Sequence, residues 1–494
     1  MLSVFDTGGC APPPASFNMA AYVLTAGQAQ PDKIALEIVG AKSRRITFAE
    51  LHHTVATTAS GLMGAGLQPG DRVLLRLGNR FEFPLVYLAA LWAGLVPVPT
   101  SAQLTQTEID KLASLCAPRL CISEDGIAVP RDVAILSCED LARMKTLQPA
   151  APIMGSPDRL AYIIFTSGTS GTPRGVCHAH RAIWARRMMF DGWYGLRAKD
   201  RVLHAGAFNW TYTMGTGLMD PWTKGATALI PEDGTDPADL PGLLDNAEAT
   251  IFAAAPGVYR KMLPHVSAPP KTLRHGLSAG EHLSETIRQA WQSRTGTQLH
   301  QALGMSECST FISSSPDAPA PPDTSGLPQR GRKVAILKDG EPLPCGEDGM
   351  LAISTRDPGL MLNYIGEPTL AGAWFETGDQ ARMAEDGTIT YLGRQDDMMN
   401  AGGFRVSPLE VETSFTGQPG IDACAAVQIR IKQDADVIAL FHTGQAHEQD
   451  LRAHAERNLA RYKQPRLYIQ RDALPYGANG KLNRRALRAS FEAP

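Results

Sequence analysis

The chain is 494 residues long, which is enough for roughly three domains of about 150 residues each. Its 47 basic and 50 acidic residues give a net charge of −3, so no basic field for nucleic acid is expected. Hydrophobic residues make up 44% and charged residues 20% of the chain, as in ordinary soluble globular proteins. The eight cysteines are scattered without a metal-binding or redox spacing, which predicts free, buried thiols in a reducing compartment.

Neither the start of the chain nor its longest apolar run is typical of a targeting or membrane segment. Residues 1–24 contain no lysine or arginine and no apolar core, so a secretory signal peptide is not expected. The run at 83–98 is interrupted by prolines and a glycine and is too short to cross a bilayer. We instead predict a buried helix over residues 82–93 that leads into a short strand, no membrane span and a cytoplasmic location.

The first part of the chain alternates helical and strand patterns. Capping boxes that begin at Thr47 and Thr105 predict two helix starts. Apolar runs at 72–77 and 119–122 predict strands. Alternation of this kind is typical of layered α/β folds with mostly parallel sheets.

The same alternation continues in the middle of the chain. Strands are predicted at 225–230 and 251–255, separated by a polar helix. Residues 313–323 contain only Ser, Pro, Ala and Asp, which predicts a loop. Short strands punctuated by glycine and aspartate follow, and they predict an antiparallel subdomain at 325–393.

A domain boundary is predicted at the polar segment 394–397, where strand alternation gives way to a new glycine-rich unit. Residues 1–394 would then form a large domain, and residues 395–494 a small α+β domain. The predicted fold class is therefore α/β, with layered, mostly parallel sheets, a small antiparallel subdomain and a separate C-terminal domain.

A segment rich in hydroxyls and glycines follows a predicted buried strand at 163–165. Glycines let backbone N–H groups approach an anion, hydroxyls add donors, and the guanidinium of Arg174 offers a planar fork for phosphate oxygens. The segment is not a Walker loop, because it lacks the Gly-Lys-Ser/Thr of that motif. The alternative to phosphate binding is an ordinary surface turn. We predict phosphate binding by Thr166, Ser167, Gly168, Thr169, Ser170, Gly171 and Arg174.

A possible metal-binding carboxylate follows another short strand, predicted at 299–303, where Gly304 leads to Glu307. A carboxylate at a strand end beside a phosphate loop suits a magnesium nucleotide, because Mg²⁺ takes one or two protein carboxylates plus phosphate oxygens. A Ser-Glu pair after a glycine is, however, more typical of a helix N-cap. The residues alone leave both interpretations open.

Three later segments carry polar groups beside glycines. Asp379 follows Thr-Gly, and an aspartate on a tight turn can accept both ribose hydroxyls. Gly402 and Gly403 precede a helical pattern, and Lys481 lies on a glycine-flanked turn. Taken singly, each is more typical of an ordinary turn or of a solvated side chain.

In their order along the chain, these segments resemble the motifs of the ANL superfamily, which comprises acyl-CoA synthetases, peptide-synthetase adenylation domains and luciferases. The family signature Thr-Ser-Gly-Thr-Thr-Gly-x-Pro-Lys-Gly is similar to residues 166–175, with Arg174 in place of lysine. The family's Tyr-Gly-x-Thr-Glu is similar to residues 303–307, with Leu303 in place of the aromatic residue. Three further motifs are similar to residues 374–379, 402–412 and 475–484.

The resemblance implies a role for each candidate residue. Lys481, Glu307 and Thr166 would be catalytic, with Glu307 binding Mg²⁺, and Asp396 would be the hinge of a mobile small domain. CoA would be bound by Gly402, Gly403, Phe404 and Arg405. Besides the hydroxyl–glycine segment, ATP would be bound by Gly280, Glu281, Leu303, Gly304, Met305, Ser306, Asp379 and Arg394.

A further resemblance concerns the acyl substrate. Residues 209–218 resemble the benzoate-CoA ligase pattern, and residues 278–281 resemble the Ser-Ala-Gly-Glu of aryl and medium-chain ligases. The resemblance implies an apolar acyl pocket lined by Trp210, Tyr212, Met214, Ala279, Gly280 and Gly304. The alternative is that the aromatic residues belong to the hydrophobic core.

The expected function is that of an AMP-forming carboxylic acid:CoA ligase that uses ATP, Mg²⁺ and CoA on an aryl or medium-chain acid. A carboxylate is already ionised near pH 7, so the first step needs no general base. The expected partners are these small molecules, with no nucleic acid and no membrane span, and a homodimer is left open. Alternatives are a ligase that loads a carrier protein, a luciferase-like oxidase and a non-enzymatic nucleotide-binding protein.

Overall fold

The computed structural model of the protein describes residues 1–167, 173–281, 283–401, 404–432, 435–459, 461, 463–477 and 481–492. A nine-stranded sheet carries the strands predicted in the middle of the chain, and its six central strands are parallel. The sheet confirms the predicted α/β alternation. In spatial order its strands are Leu327–Pro328, Ser309–Ser313, Gln298–Met305, His275–Ala279, Ile251–Ala254, Arg201–Ala205, Thr227–Pro231, Ile34–Val39 and Arg44–Thr47.

A second, fully parallel sheet is formed by the N-terminal part of the chain. Its strands are Val96–Pro99, Arg72–Arg76, Leu120–Ser123 and Ala134–Ser137, in that spatial order. Both predicted capping boxes are present: Thr47 caps the helix Phe48–Gly64 and Thr105 caps the helix Gln106–Cys116. The predicted buried helix is Glu82–Trp92, and it leads into the edge strand of this sheet.

Two antiparallel sheets complete the large domain. The strands Leu160–Ser167 and Pro173–Ala179 form a hairpin, and the short strand Asn363–Tyr364 pairs with its second strand. The other sheet lies in the predicted antiparallel subdomain. It contains Val4–Asp6, Lys333–Lys338, Asp348–Ser354, Trp374–Met383 and Ile389–Arg394 in spatial order, with Glu341–Pro342 paired to Lys333–Lys338.

Two features of the antiparallel sheet differ from the sequence-based expectation. Its edge strand comes from the N-terminus, because Val4 pairs with Ala335, a partner that local pattern does not reveal. The expectation that Asp379 lies on a tight turn is wrong. It lies inside the strand Trp374–Met383, where the preceding Gly378 has a φ of +77° and a register shift occurs just beyond it. Gly378 is therefore needed for its positive φ within an irregular strand, and not in the turn that the sequence pattern predicts.

The C-terminal part is a small α+β unit, as predicted. Its strands are Met399–Ala401, Phe404–Val406, Ala423–Lys432, Ala435–Thr443 and Leu467–Gln470. They pack against the helices Pro408–Ser414, Glu448–Asn458 and Arg484–Glu492. The 3₁₀ turn Gln395–Asp397 joins this unit to the large domain.

The remaining helices belong to the large domain. No helix in the described ranges is long and apolar enough to cross a membrane. All eight cysteines are free thiols, and four of them are buried. The remaining α-helices are Met19–Thr25, Cys138–Met144, Ala182–Ala185, Arg187–Met189, Asp220–Thr223, Leu240–Asn246, Pro256–Met262 and Glu285–Thr295. The π-helices are Phe190–Tyr194 and Thr213–Met219, and the other 3₁₀ helices are Ala26–Ala29, Pro237–Asp239 and Leu263–His265.

Candidate active site

The two strands of the hairpin, Leu160–Ser167 and Pro173–Ala179, carry the two ends of the predicted phosphate-binding segment. Ala161 and Ile163 are buried along its first strand, which explains the apolar pattern of that strand. Thr166 lies opposite Arg174 in the strand register, so these two predicted phosphate ligands lie near the ends of the two strands. The predicted ligands Gly168, Thr169, Ser170 and Gly171 lie outside the described residues, and so does the side chain of Ser167.

Arg174 has two neighbours that the sequence analysis did not identify. Its guanidinium donates two hydrogen bonds to the carboxylate of Glu367, at 2.8 and 3.0 Å. It also lies over the ring of Tyr364, with its central carbon 3.4 Å from the ring centroid. Both neighbours belong to the short segment that pairs with the hairpin, and two residues of strand carry too little periodicity to be recognised from sequence.

Beside this segment lies the turn at residues 306–308, called the carboxylate turn here because it carries Glu307. The strand Gln298–Met305 has a bulge between Leu303 and Gly304 and turns back into Ser309–Ser313. Gly304 is required there, because an added Cβ would lie 2.5 Å from the carbonyl oxygen of Ser309. Glu307, at the turn, accepts a hydrogen bond of 2.8 Å from the hydroxyl of Tyr364.

Two hydrogen bonds fix the main chain of the carboxylate turn. The carbonyl of Ser306 lies 2.7 Å from Nε2 of His178, and the carbonyl of Glu307 accepts from the amide of Met361 at 2.8 Å. His178 is buried, and this burial lowers its pKa to about 4. The neutral imidazole therefore donates from Nε2, and Glu307 is held between the hairpin and the segment of Tyr364. The side chains of Leu303 and Met305, which precede the carboxylate turn, pack against the core of the antiparallel sheet.

Glu307 is also the candidate ligand for Mg²⁺. In the described ranges there is no group of three or more His, Cys, Asp or Glu side chains that could enclose a metal ion. A single carboxylate beside a phosphate-binding hairpin nevertheless fits Mg²⁺, which binds through one or two carboxylates plus substrate phosphates.

The predicted ribose-binding pair is brought together by the antiparallel sheet. Asp379 and Arg394 are register partners on neighbouring strands, and Nη1 of Arg394 lies 3.2 Å from Oδ1 of Asp379. The hydroxyl of Tyr391 donates to the same oxygen at 3.3 Å. Burial raises the pKa of Asp379, and the cation of Arg394 opposes this effect. The carboxylate is thus positioned as an acceptor close to the domain boundary.

The three predicted side chains of the acyl pocket do not share one environment. Tyr212 packs against a core cluster that includes Ala279, and its hydroxyl donates to the carbonyl of Leu277 at 3.1 Å. Met214 is buried in another cluster and borders a cavity of about 20 Å³, which is room for about one water molecule. Trp210 is half-buried. An added Cβ on Gly280 would meet no atom within 4 Å, so open space lies there.

A buried ion pair that no sequence pattern indicates lies against Gly215, in the π-helix that carries Met214. Arg186 and Asp220 are 6% and 0% exposed, and two parallel hydrogen bonds of 2.8 and 2.6 Å join them. Tyr194 donates to Asp220 at 2.7 Å, and Arg186 also donates to Ser309 near the carboxylate turn. Arginines and aspartates without periodic spacing give no indication of such pairing in a sequence.

The predicted catalytic residue Lys481 belongs to the small domain, and its charge acts on a carboxyl group of the large domain. Burial raises the pKa of Glu281, and the ammonium of Lys481 counteracts this rise. Asp396 is exposed in the 3₁₀ turn between the domains. Gly402 and Gly403 lie outside the described residues. Phe404 and Arg405 lie in the strand Phe404–Val406, and their side chains are not described.

Comparison with known proteins identifies the family. Benzoate–CoA ligase of Thauera aromatica is 29% identical over 488 residues, covering 90% of both chains. The mitochondrial acyl-coenzyme A synthetase ACSM3 of Rattus norvegicus is 27% identical over 492 residues, covering 90% of this chain and 84% of the relative.

Solved structures agree with this result. The structure of the anthranilate CoA ligase AuaEII with anthranoyl-AMP superposes with a TM-score of 0.88 at 24% identity, covering 97% of this chain and 98% of that one. A benzoate CoA ligase from Burkholderia xenovorans LB400 gives 0.85 at 25% identity, covering 96% and 100%. The predicted resemblance to adenylate-forming enzymes is confirmed, and so is the division into a large N-terminal and a small C-terminal domain. The model of the AMP-binding enzyme family matches residues 24–365, and the chain belongs to that family.

Proposed function

We propose that the chain is an AMP-forming carboxylic acid:CoA ligase that activates an aryl or medium-chain acid. The observation that carries the proposal is that Tyr364 contacts both the hairpin cation Arg174, through its ring, and the carboxylate of Glu307, through its hydroxyl. This arrangement supplies a cation for phosphate oxygens and a carboxylate for their metal ion. Relatives named as benzoate and acyl-coenzyme A ligases over 90% of the chain support the choice of reaction.

In the first half-reaction, a carboxylate oxygen of the acid attacks the α-phosphorus of ATP, and pyrophosphate leaves. The substrate is already ionised, so the protein has to align the reactants and neutralise charge rather than remove a proton. Thr166 and Arg174 would bind phosphate oxygens, and Lys481 would approach the reacting carboxylate from the small domain. Mg²⁺ held by Glu307 would neutralise charge on the phosphates.

The ribose and base fix the other end of the nucleotide. Asp379 would accept hydrogen bonds from the ribose hydroxyls, and Arg394, which lies 3.2 Å from it, would keep that carboxylate ionised and oriented. Leu303, Gly304, Met305 and Ser306 would border the nucleotide beside the bulge, and Gly280 and Glu281 would border it from the neighbouring strand end. These positions lie at the carboxyl ends of parallel strands, where α/β folds bind ligands.

In the second half-reaction, the CoA thiol sulfur attacks the acyl carbonyl, its proton is lost and AMP leaves. The residues 402–405 would lie along the CoA arm. We propose Asp396 as the hinge between domains 1–394 and 395–494, because it is exposed in the short 3₁₀ turn Gln395–Asp397. Turning there would move Lys481 away after adenylation.

The proposal also covers the class of acid substrate, the cellular location and the assembly of the enzyme. The open space at Gly280 and the apolar cluster of Tyr212 and Ala279 support an aryl or medium-chain acyl group. We also propose a cytoplasmic location and leave a homodimer as the assembly to be tested. Loading of a carrier protein is the second candidate, since it requires the same adenylation site.

The test measures acid-dependent pyrophosphate release with a panel of benzoates, aryl-alkanoates and C4–C10 fatty acids. Thioester formation is then measured by mass spectrometry with CoA or with a phosphopantetheinylated carrier protein. Release of pyrophosphate followed by an acyl-CoA supports the proposal. A thioester formed only on the carrier indicates the second candidate, and oxygen consumption indicates a luciferase-like oxidase. Nucleotide binding without pyrophosphate release from any acid would leave only a nucleotide-binding protein.

A further inference from the structure

The segment around Tyr364 lies between the two charged parts of the candidate site. Its main chain pairs with the hairpin, since the amides of Leu362 and Ile365 donate to hairpin carbonyls at 2.7 and 2.8 Å. On its other side, the amide of Met361 donates to the carbonyl of Glu307 at 2.8 Å. The segment therefore ties the phosphate hairpin to the carboxylate turn.

The side chain of Tyr364 repeats this connection. Its ring lies 3.4 Å below the guanidinium of Arg174, and its hydroxyl donates to Oε1 of Glu307 at 2.8 Å. A tyrosine hydroxyl is ordinarily protonated at neutral pH, so it acts as the hydrogen-bond donor to the carboxylate of Glu307.

Each contact has a distinct consequence. A hydrogen bond to one carboxylate oxygen restricts the rotation of Glu307 and directs the second oxygen, as outer hydrogen bonds do for metal-binding carboxylates. The contact of its central carbon with the ring restricts the position of the Arg174 guanidinium, a planar group that can lie against an aromatic face. Glu367 adds a counter-charge to Arg174, but both side chains are more than 40% exposed, so a polyphosphate can replace it.

We propose that Tyr364 is a positioning residue that orients two groups of the nucleotide site. These are Arg174, the cation that binds the phosphates, and Glu307, the carboxylate that binds the metal of the nucleotide. The inference rests on the proposed function, because it assumes that a magnesium nucleotide binds between Arg174 and Glu307. The hydroxyl orients Glu307, so it increases the nucleotide affinity that depends on Mg²⁺. The ring orients Arg174, so it increases the affinity that depends on the contact of this cation with the phosphates. Glu367 holds Arg174 until the triphosphate takes its place.

The test is calorimetric titration of the full-length protein with ATP, in excess Mg²⁺ and in EDTA. Tyr364→Phe keeps the ring and removes the hydroxyl. It is expected to weaken binding of Mg·ATP by about tenfold, as for loss of an outer hydrogen bond to a metal ligand, and to leave binding in EDTA unchanged. Tyr364→Leu also removes the ring, and it is expected to weaken binding of Mg·ATP as well as binding of ATP in EDTA.

Two controls separate positioning from general damage. Tyr468→Phe alters a half-buried tyrosine of the small domain, and it should bind nucleotide like the wild type. The double variant Glu307→Gln/Tyr364→Phe should bind Mg·ATP no more weakly than Glu307→Gln alone, because the hydroxyl acts through that carboxylate. Equal losses with Mg²⁺ and in EDTA for Tyr364→Phe, or no loss at all, would overturn the inference.

A further variant keeps the inference testable if Tyr364→Phe does not fold. Glu367→Gln removes the counter-charge from Arg174, so affinity for ATP in EDTA should rise about two- to fivefold, and an unchanged or lower affinity would overturn the inference. Acid-dependent exchange of pyrophosphate into ATP is measured in parallel. Absence of exchange with every acid, together with a normal Tyr364→Phe effect on Mg·ATP binding, refutes the proposed reaction and leaves the role of Tyr364 intact.

Discussion

Substitution of Asp220 by asparagine should destabilise the large domain far more than loss of a surface ion pair. The carboxylate is fully buried, and it accepts two parallel hydrogen bonds from Arg186 and a third from Tyr194. The change leaves the guanidinium buried without its counter-charge. Removal of one partner of a buried pair typically costs about 3–5 kcal/mol of unfolding free energy.

A hydrophobic replacement of both partners should behave differently. In Arg186→Met/Asp220→Leu no buried charge remains, and the hydroxyls of Tyr194 and Thr216, already 2.8 Å apart, can bond to each other. Such replacements are often neutral or stabilise by about 1–4 kcal/mol. The double variant should therefore be at least as stable as the wild type, while Asp220→Asn should be much less stable.

The measurement is urea unfolding followed by tryptophan fluorescence. Glu448→Gln is the matched control, because Glu448 and Arg452 form an exposed i,i+4 pair at 2.6 Å. Pairs of that kind contribute about 0.3–0.5 kcal/mol. The buried ion pair would not have the stated effect if Asp220→Asn lowered the unfolding free energy no more than Glu448→Gln, or if the double variant were as unstable as Asp220→Asn.

Four further outcomes are expected. Lys481→Ala should slow adenylate formation by about 100-fold or more while sparing thioester formation from pre-made acyl-AMP, and equal losses in both half-reactions would contradict its role. Tyr212→Phe loses the hydrogen bond to Leu277 and should cost about 0.5–1.5 kcal/mol with an unchanged acid profile, whereas Tyr212→Ala should cost about 3–5 kcal/mol and shift preference toward bulkier acids. A uniform loss over all acids in the alanine variant would make the ring purely a core residue. Asp396→Pro fixes φ near −65° and should keep pyrophosphate exchange while losing CoA thioester, so a well-folded variant with wild-type thioester synthesis would rule out obligatory turning there. Unfolding free energy should fall as the pH drops from 6.5 toward 4, by up to about 1.4 kcal/mol per pH unit for each buried imidazole, because the unfolded chain takes up protons first; a flat urea midpoint between pH 7.5 and 5 would contradict this. The imidazoles whose pKa burial lowers from 6.5 to about 4 or about 3 are those of His178, His180, His204, His275 and His300.

Features set by local physics were predictable from the sequence. The capping box at Thr47 and the buried helix Glu82–Trp92, which has Pro84 in its first turn, each depend on residues within one or two turns. The pairing of Val4 with Ala335 and the approach of Tyr364 to Glu307 depend on chain segments far apart in sequence. No periodicity records such contacts, so the fold class was accessible while the surroundings of the site residues were not.

The two departures from the family motifs have different structural settings. At the position of the family's lysine, Arg174 has a flat ring beneath it and a carboxylate on its edge, and both suit a planar guanidinium rather than an ammonium. Leu303, at the position of the aromatic residue, packs with Met305 against the core of the antiparallel sheet. If the nucleotide binds as proposed, this position supplies no aromatic ring for the base to stack on, so the phosphates and ribose should contribute a larger share of nucleotide affinity. Nucleotide recognition in this chain should thus be more sensitive to Arg174 and Asp379 than to Leu303.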